Sequence, residues 1–242
     1  MSIKFSLKMM TFMAGVFMAS LAIAPAHAGL IVASGAGALI GSEQDLTGTA
    51  PTEIVGTLPN VTDALLDVNL FKFNIDNFLT FSVMSLPVLH GVSDTELFLF
   101  DSTGHGVYAN DDMGGGDPTT FSLACLPSAM SNPCPSALPS GVGPMSNGVY
   151  YLAITRSSDM PLSDLGEIFT LISSTDVVGP DLTMGGAHAL TGWDNGGFTD
   201  PNIDSVNYDI VLTGTTPEPA TWSMMGIAGL GLILLRSKDR RR

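Results

Sequence analysis

Seven carboxylate and amide side chains crowd one short stretch of the chain: Asp94, Glu96, Asp101, Asn110, Asp111, Asp112 and Asp117. Carboxylates and amides are hard oxygen donors, and Ca²⁺ takes roughly six to eight of them in flexible geometry. If the 96–101 segment pairs with 106–109 as neighbouring strands, the Asp101 end and the Asn110-Asp111-Asp112 corner fall near one turn region. Asp101, Asp111 and Asp112 are then the candidate metal ligands, and calcium the candidate cofactor. The spacing is not that of an EF-hand loop. The competing reading is turn chemistry, in which Asp and Asn cap their own backbone and Gly114-Gly115-Gly116 supplies permissive φ.

A second polar cluster is Trp193-Asp194-Asn195-Gly196-Gly197-Phe198. Trp193 is a candidate platform for a sugar ring, with Asp194 and Asn195 as hydrogen-bond partners. An indole packed beneath a loop is the plainer account. Cys125 and Cys134 flank a Pro-rich stretch, and in an oxidising compartment they read as one disulfide closing a small loop. Enzyme signatures are missing: there is no G-x-S-x-G elbow, no H-E-x-x-H and no phosphate-binding glycine loop. His90, His105 and His188 are too scattered to suggest a zinc site. Paired acids could cleave glycosides, but abundance is not placement. A non-catalytic protein is the expectation.

The elements that must carry these residues are strands. Short alternating segments separated by Gly, Asp, Asn and Pro run from Glu43 onward, without a sustained helical period. In residues 68–75, Phe71, Phe73 and Ile75 face one way and Lys72 and Asn74 the other. In 78–85, Leu79, Phe81 and Val83 alternate with Thr80 and Ser82, and Asp76-Asn77 is suited to a tight hairpin between the two. Residues 96–101 are apolar on both faces, which predicts a strand covered on both sides. Residues 148–155 and 206–214 alternate clearly; 106–109, 119–124 and 168–172 are weaker candidates. Residues 29–42 are small and apolar, a leader or an edge strand. The expectation is an all-β, jelly-roll-like β-sandwich over 43–214, a single domain.

Charge narrows the partners. Residues 29–216 hold 21 of the 23 acids but only Lys72 and Arg156, a net charge near −19. Such a body repels nucleic acid and anionic membrane surfaces, which demand a basic patch. Seventeen of those 21 acids are Asp, suited to loops and to oxygen-ligand sites. A solvated acidic surface explains the same count without a ligand.

Both ends read as addresses. Lys4 and Lys8, an apolar run over 9–24, and Ala26-His27-Ala28 before Gly29 form a signal peptide over 1–28, the substrate of a signal peptidase. At the other end, Pro217-Glu218-Pro219 precedes the uncharged run 220–235, then Arg236, Lys238, Arg240, Arg241 and Arg242. As a helix that run reaches roughly 24 Å, short of the roughly 30 Å hydrocarbon core. The basic cluster would stay cytoplasmic and leave the body outside, with the inner membrane holding the tail transiently.

Pro-Glu-Pro, a short hydrophobic helix and a terminal Arg cluster, in that order, resemble the PEP-CTERM sorting signal, here over 215–242. The resemblance implies processing by an exosortase, a membrane-embedded protease of Gram-negative bacteria that make extracellular polysaccharide. It also implies an exported protein of the envelope surface or extracellular matrix, with that polysaccharide and biofilm as its setting. In the body, Asp67-Val-Asn-Leu-Phe-Lys-Phe73 is followed by Asp94-Thr-Glu-Leu-Phe-Leu-Phe-Asp101-Ser-Thr-Gly104 and then Asn110-Asp111-Asp112. Gly148-Val-Tyr-Tyr-Leu-Ala-Ile154 and Tyr208-Asp-Ile-Val-Leu-Thr-Gly214 complete the order. It is similar to bacterial pre-peptidase C-terminal-like domains, jelly-roll sandwiches of secreted proteins, some of which bind calcium. Residues 157–204 depart from that pattern as an insertion. Two expectations of role follow: a structural matrix or adhesin-like component, or a module that binds a glycan or other matrix polymer.

Overall fold

Phe71, Phe73 and Ile75 are buried while Lys72 and Asn74 are only half so, the period of two that an extended chain imposes. In a computed structural model the chain is described over residues 29–59, 65, 67–88, 94–114, 123–130, 133–170, 175–195 and 205–215. In chain order the strands are β1 (Gly29–Val32), β2 (Gln44–Asp45), β3 (Pro51–Pro59), β4 (Asn69–Ile75), β5 (Ser82–Ser85), β6 (Thr95–Asp101) and β7 (Gly106–Asn110). There follow β8 (Cys125–Leu126), β9 (Gly148–Arg156), β10 (Asp159–Ser163), β11 (Gly166–Glu167), β12 (Gly192–Asn195) and β13 (Ser205–Thr213). They form two five-stranded sheets, β1-β3-β13-β5-β8 and β2-β4-β9-β6-β7, and a small sheet β11-β10-β12.

The two large sheets face each other. Ile54, Leu58, Tyr208, Ile210 and Leu212 from one pack with Phe71, Phe73, Leu97, Leu99, Leu152 and Ile154 from the other. The alternate residues of the second sheet, Leu70, Phe98, Phe100, Tyr151 and Ala153, form a separate core with Ile168, Phe169, Leu190 and Trp193. The fold therefore has three layers, with β6 in the middle one. That is why Leu97 through Phe100 are all fully buried, as the unbroken apolar run predicts. Truncating Phe98 to Ala would cost about 3–5 kcal/mol.

Several expectations need correction. Asp76-Asn77 does not close a hairpin, because β4 pairs with β2 and β9 whereas β5 lies in the opposite sheet beside β13 and β8. The chain crosses between layers there: the N–H groups of Asp76 and Asn77 both donate to Gly214 O, and Phe73 stacks on Phe81 with ring centroids 5.7 Å apart. The strand begins at Ser82, and Leu79 stays outside it, partly exposed. Of the 119–124 candidate, residues 119–122 lie outside the described residues, Leu123 and Ala124 are not in a strand, and β8 occupies Cys125–Leu126. Residues 168–170 form no strand, only an isolated bridge between Phe169 and Pro180. Residues 29–42 supply an edge strand: β1 runs parallel to β3.

β3, nine residues long, escapes the alternation argument because prolines bound it and Gly56 interrupts it. Gly56 sits opposite Tyr208, and a Cβ there would overlap the phenol ring. The bare backbone lets Tyr208 lie across β3, where its oxygen accepts from Asn69 Nδ2 (2.7 Å) in the facing sheet. The small sheet was also hidden, since Pro161 interrupts β10 and glycines flank its partners. Residues 1–28, which the sequence reads as a signal peptide, and residues 216–242, with Pro217, Glu218, Pro219 and the terminal arginines, lie outside the described residues. Among the described residues no helix is long and apolar enough to cross a membrane.

Candidate metal centre

Antiparallel pairing decides which acids meet. Leu97 pairs with Asn110 and Phe100 with Gly106, so Glu96 stands beside Asp111 and Asp94 lies at the same end. On its other side β6 pairs Thr95 with Arg156, and the Ser157-Ser158 turn returns the chain into β10 at Asp159. One corner of the sandwich thus gathers Asp94, Glu96, Asp111, Asp112 and Asp159. Carboxylate oxygens of Asp94, Asp111 and Asp112 lie within 4.8 Å of one another. That fits inside the span across a calcium shell, roughly 4.6–5.2 Å for oxygen distances of 2.3–2.6 Å.

Glu96 makes this corner different from a solvated acidic face. Its side chain is 2% exposed. One oxygen accepts the Ser158 N–H at 2.9 Å, and Oε2 is buried without a hydrogen-bond partner. Ser158 has φ +77°, the single positive value outside glycine among the described residues. The Asp111 Oδ1 is likewise buried and unpartnered. Burial first, and then the Asp111 charge, hold the Glu96 carboxyl well above the usual carboxylate range. Burial, with Asp112 and Asp94 behind it, pushes Asp111 up to about 7. Asp94 is raised by burial and by Asp112, with Arg156 partly offsetting both. Desolvated carboxylates that repel one another need a cation or protons. All the donors are oxygens, and neither described histidine joins them: His105 Nδ1 meets Thr103 Oγ1 and His188 Nδ1 meets Asp164. Hard oxygen donors without nitrogen or sulfur suit Ca²⁺ better than zinc or copper.

Asp101 does not belong here. It closes β6 at the opposite end of the strand, roughly 17 Å from Glu96 at about 3.3 Å per residue. Its Oδ1 accepts the Thr103 N–H (2.8 Å), the Thr103 hydroxyl (2.6 Å) and the His105 N–H (3.1 Å). Asp45 and Asp181 repeat the motif with Thr47 and Thr183, each again taking an N–H at 2.9 Å and a hydroxyl at 2.6 Å. In both, the threonine donors lower the Asp pKa. These three Asp-x-Thr turns follow the turn-chemistry reading. Asn110 is fully buried and serves the backbone, and Asp117 lies outside the described residues.

Trp193 is no sugar platform as placed. It is buried, meets Phe98 and Phe100 edge to face at 5.6 and 6.3 Å, and donates from Nε1 to Ala38 O at 2.8 Å. Asp194 is exposed beside it. Cys125 and Cys134 form the expected disulfide, with Cα atoms 5.7 Å apart. The residues that linear reading missed are Arg156, Ser158 and Asp159, which only the β6–β9 pairing brings to the corner. No protein-family model matches the chain and no characterised protein matches it in sequence, so the corner's chemistry stands on its own side chains.

Proposed function

We propose that this chain is an exported, non-catalytic β-sandwich protein of the cell surface or extracellular matrix, and that its acidic corner binds calcium. The observation that carries the metal reading is the trio Asp94, Asp111 and Asp112 beside the buried, half-satisfied Glu96. A cation there would neutralise the desolvated charge and tie together the ends of β6 and β7. Exported modules bind calcium with dissociation constants of roughly 10⁻⁴–10⁻³ M, so occupancy would follow the calcium level outside the cell. The jelly-roll-like, pre-peptidase-type resemblance is supported by the chain's alternation between sheets from β3 through β6.

Sorting rests on residues 217–242: Pro-Glu-Pro, an uncharged run and the arginine cluster. An exosortase would remove this tail near Glu218 after a signal peptidase cuts before Gly29, leaving an acidic sandwich in or on the extracellular polysaccharide. A like-charged body resists self-association, and divalent cations would relax that repulsion.

Thermal melting of the purified protein tests the metal reading. A site filled a hundredfold beyond its Kd adds about 2.7 kcal/mol, or roughly 5–11 °C for a domain of this size. A melting temperature identical in 10 mM calcium and in chelator sinks it. Intact mass from cells with and without the exosortase tests the sorting. A form lacking residues 1–28 and the tail, seen only with the enzyme, supports it, and an uncut tail in both strains refutes it.

A further inference from the structure

The Asp111-Asp112 segment is held from behind by a single structure. Asn110, fully buried, donates from Nδ2 to Asp112 O (2.9 Å) and to Asp176 O (3.1 Å), while its Oδ1 accepts the Cys125 N–H (2.8 Å). Both amide hydrogens and one oxygen lone pair are engaged by backbone groups, which fixes the side chain in place. Next along the chain, the Met113 N–H donates to Leu123 O, and Ser136 Oγ donates to Thr175 O (2.9 Å) and lies 3.4 Å from Met113 O. Met113, Leu123, Cys125 and Cys134 form a small core of their own. The segment carrying two of the three clustered acids therefore rests on the chain around the Cys125–Cys134 disulfide, through the Cys125 N–H and the small core of Met113, Leu123 and the two cysteines, and on residues 175 and 176.

We propose that Asn110 is the positioning residue of the cation site, and that the Cys125–Cys134 disulfide, acting through Asn110, sets its affinity for calcium. This rests on the calcium reading above. Holding three mutually repelling carboxylates within 4.8 Å requires a stiff backbone, and outer partners that fix ligand orientation are worth roughly tenfold to a hundredfold in metal affinity. With the bridge open, the 125–134 loop regains freedom, the Cys125 N–H no longer holds Asn110, and the two carboxylates move apart under their own charge. Closing it joins the two thiols with loss of two protons and two electrons to a disulfide acceptor, which is itself reduced to two thiols by exchange. The reduced chain is then a poor calcium ligand, and full affinity arrives only in an oxidising compartment.

The test is calcium titration calorimetry on the full chain, in the oxidised wild type, in Asn110→Ala and in the Cys125→Ala/Cys134→Ala pair. Chelator melting temperatures and circular dichroism are recorded beside it. Both variants should weaken calcium Kd tenfold to a hundredfold, and combining them should add little, because they lie on one chain of contacts. Reducing the wild type with a phosphine and counting its thiols gives the same comparison without substitution, should a variant fail to fold. A lower melting temperature with calcium Kd unchanged would mean that the loop merely stabilises the fold, and would overturn the proposal. Oxidised wild type that binds no calcium would remove the site itself, a different failure from bound calcium indifferent to Asn110 and the bridge.

Discussion

The two ends of β6 are both acidic and behave in opposite ways. At the Asp101 end, a carboxylate finds three donors within its own turn. At the Glu96 end, the donors run out: one N–H from Ser158 serves Glu96, and its second oxygen and Asp111 Oδ1 are buried without partners. An acid in an exposed Asp-x-Thr turn is a finished local structure. A set of acids brought together by long-range pairing and partly stripped of water is an unfinished one, completed by protons or a cation. Acidity by itself says little about metal binding; unmet demand for positive charge says much more.

The sharpest way to break this contrast is to remove acids at each end in turn. Asp111→Asn with Asp112→Asn should abolish the calcium-induced rise in melting temperature, whereas Asp101→Asn should keep it whole. Loss in both variants would erase the distinction. The next effect is one of pH. Asp111 titrates near 7 in the fold and near 4 in an unfolded chain, so the fold binds the extra proton between those values. Metal-free wild type should therefore lose stability relative to Asp111→Asn as pH rises from about 4 to about 7. Calcium should flatten that difference, and equal pH profiles in chelator would contradict the raised carboxyl. The smallest effect belongs to the turn. Asp101→Ala should cost about 1 kcal/mol through lost backbone bonds, a drop of roughly 2–4 °C that is the same with and without calcium.

How much of this was legible depends on the range of the forces involved. β4, β6, β9 and β13 announce themselves because each buries alternate residues, or both faces, against flat layers. β3 carries no such signal: Gly56 is required by the Tyr208 ring, a partner some 150 residues away. The small sheet exists because Phe98 and Phe100 need a cover, and Trp193 answers that need instead of reaching solvent. The acidic cluster was visible as composition, and four of its members, Asp94, Glu96, Asp111 and Asp112, do meet. Asp101 was misplaced because antiparallel pairing sets the start of β7 near Asp101 and its Asn110 end beside Leu97. Arg156, Ser158 and Asp159 could not be found before β9 was known to lie beside β6.

The position of β13 has a consequence for the order of events in folding. It is the last described strand, yet it lies inside its sheet, between β3 and β5, which precede it by more than a hundred residues. A chain that emerges N-terminus first holds a gap in that sheet, with Ile54, Leu58 and Val83 uncovered, until residues 205–213 arrive. Contacts so distant along the chain are slow to form. Completion of the sandwich is therefore a late step, timed by the appearance of its final strand.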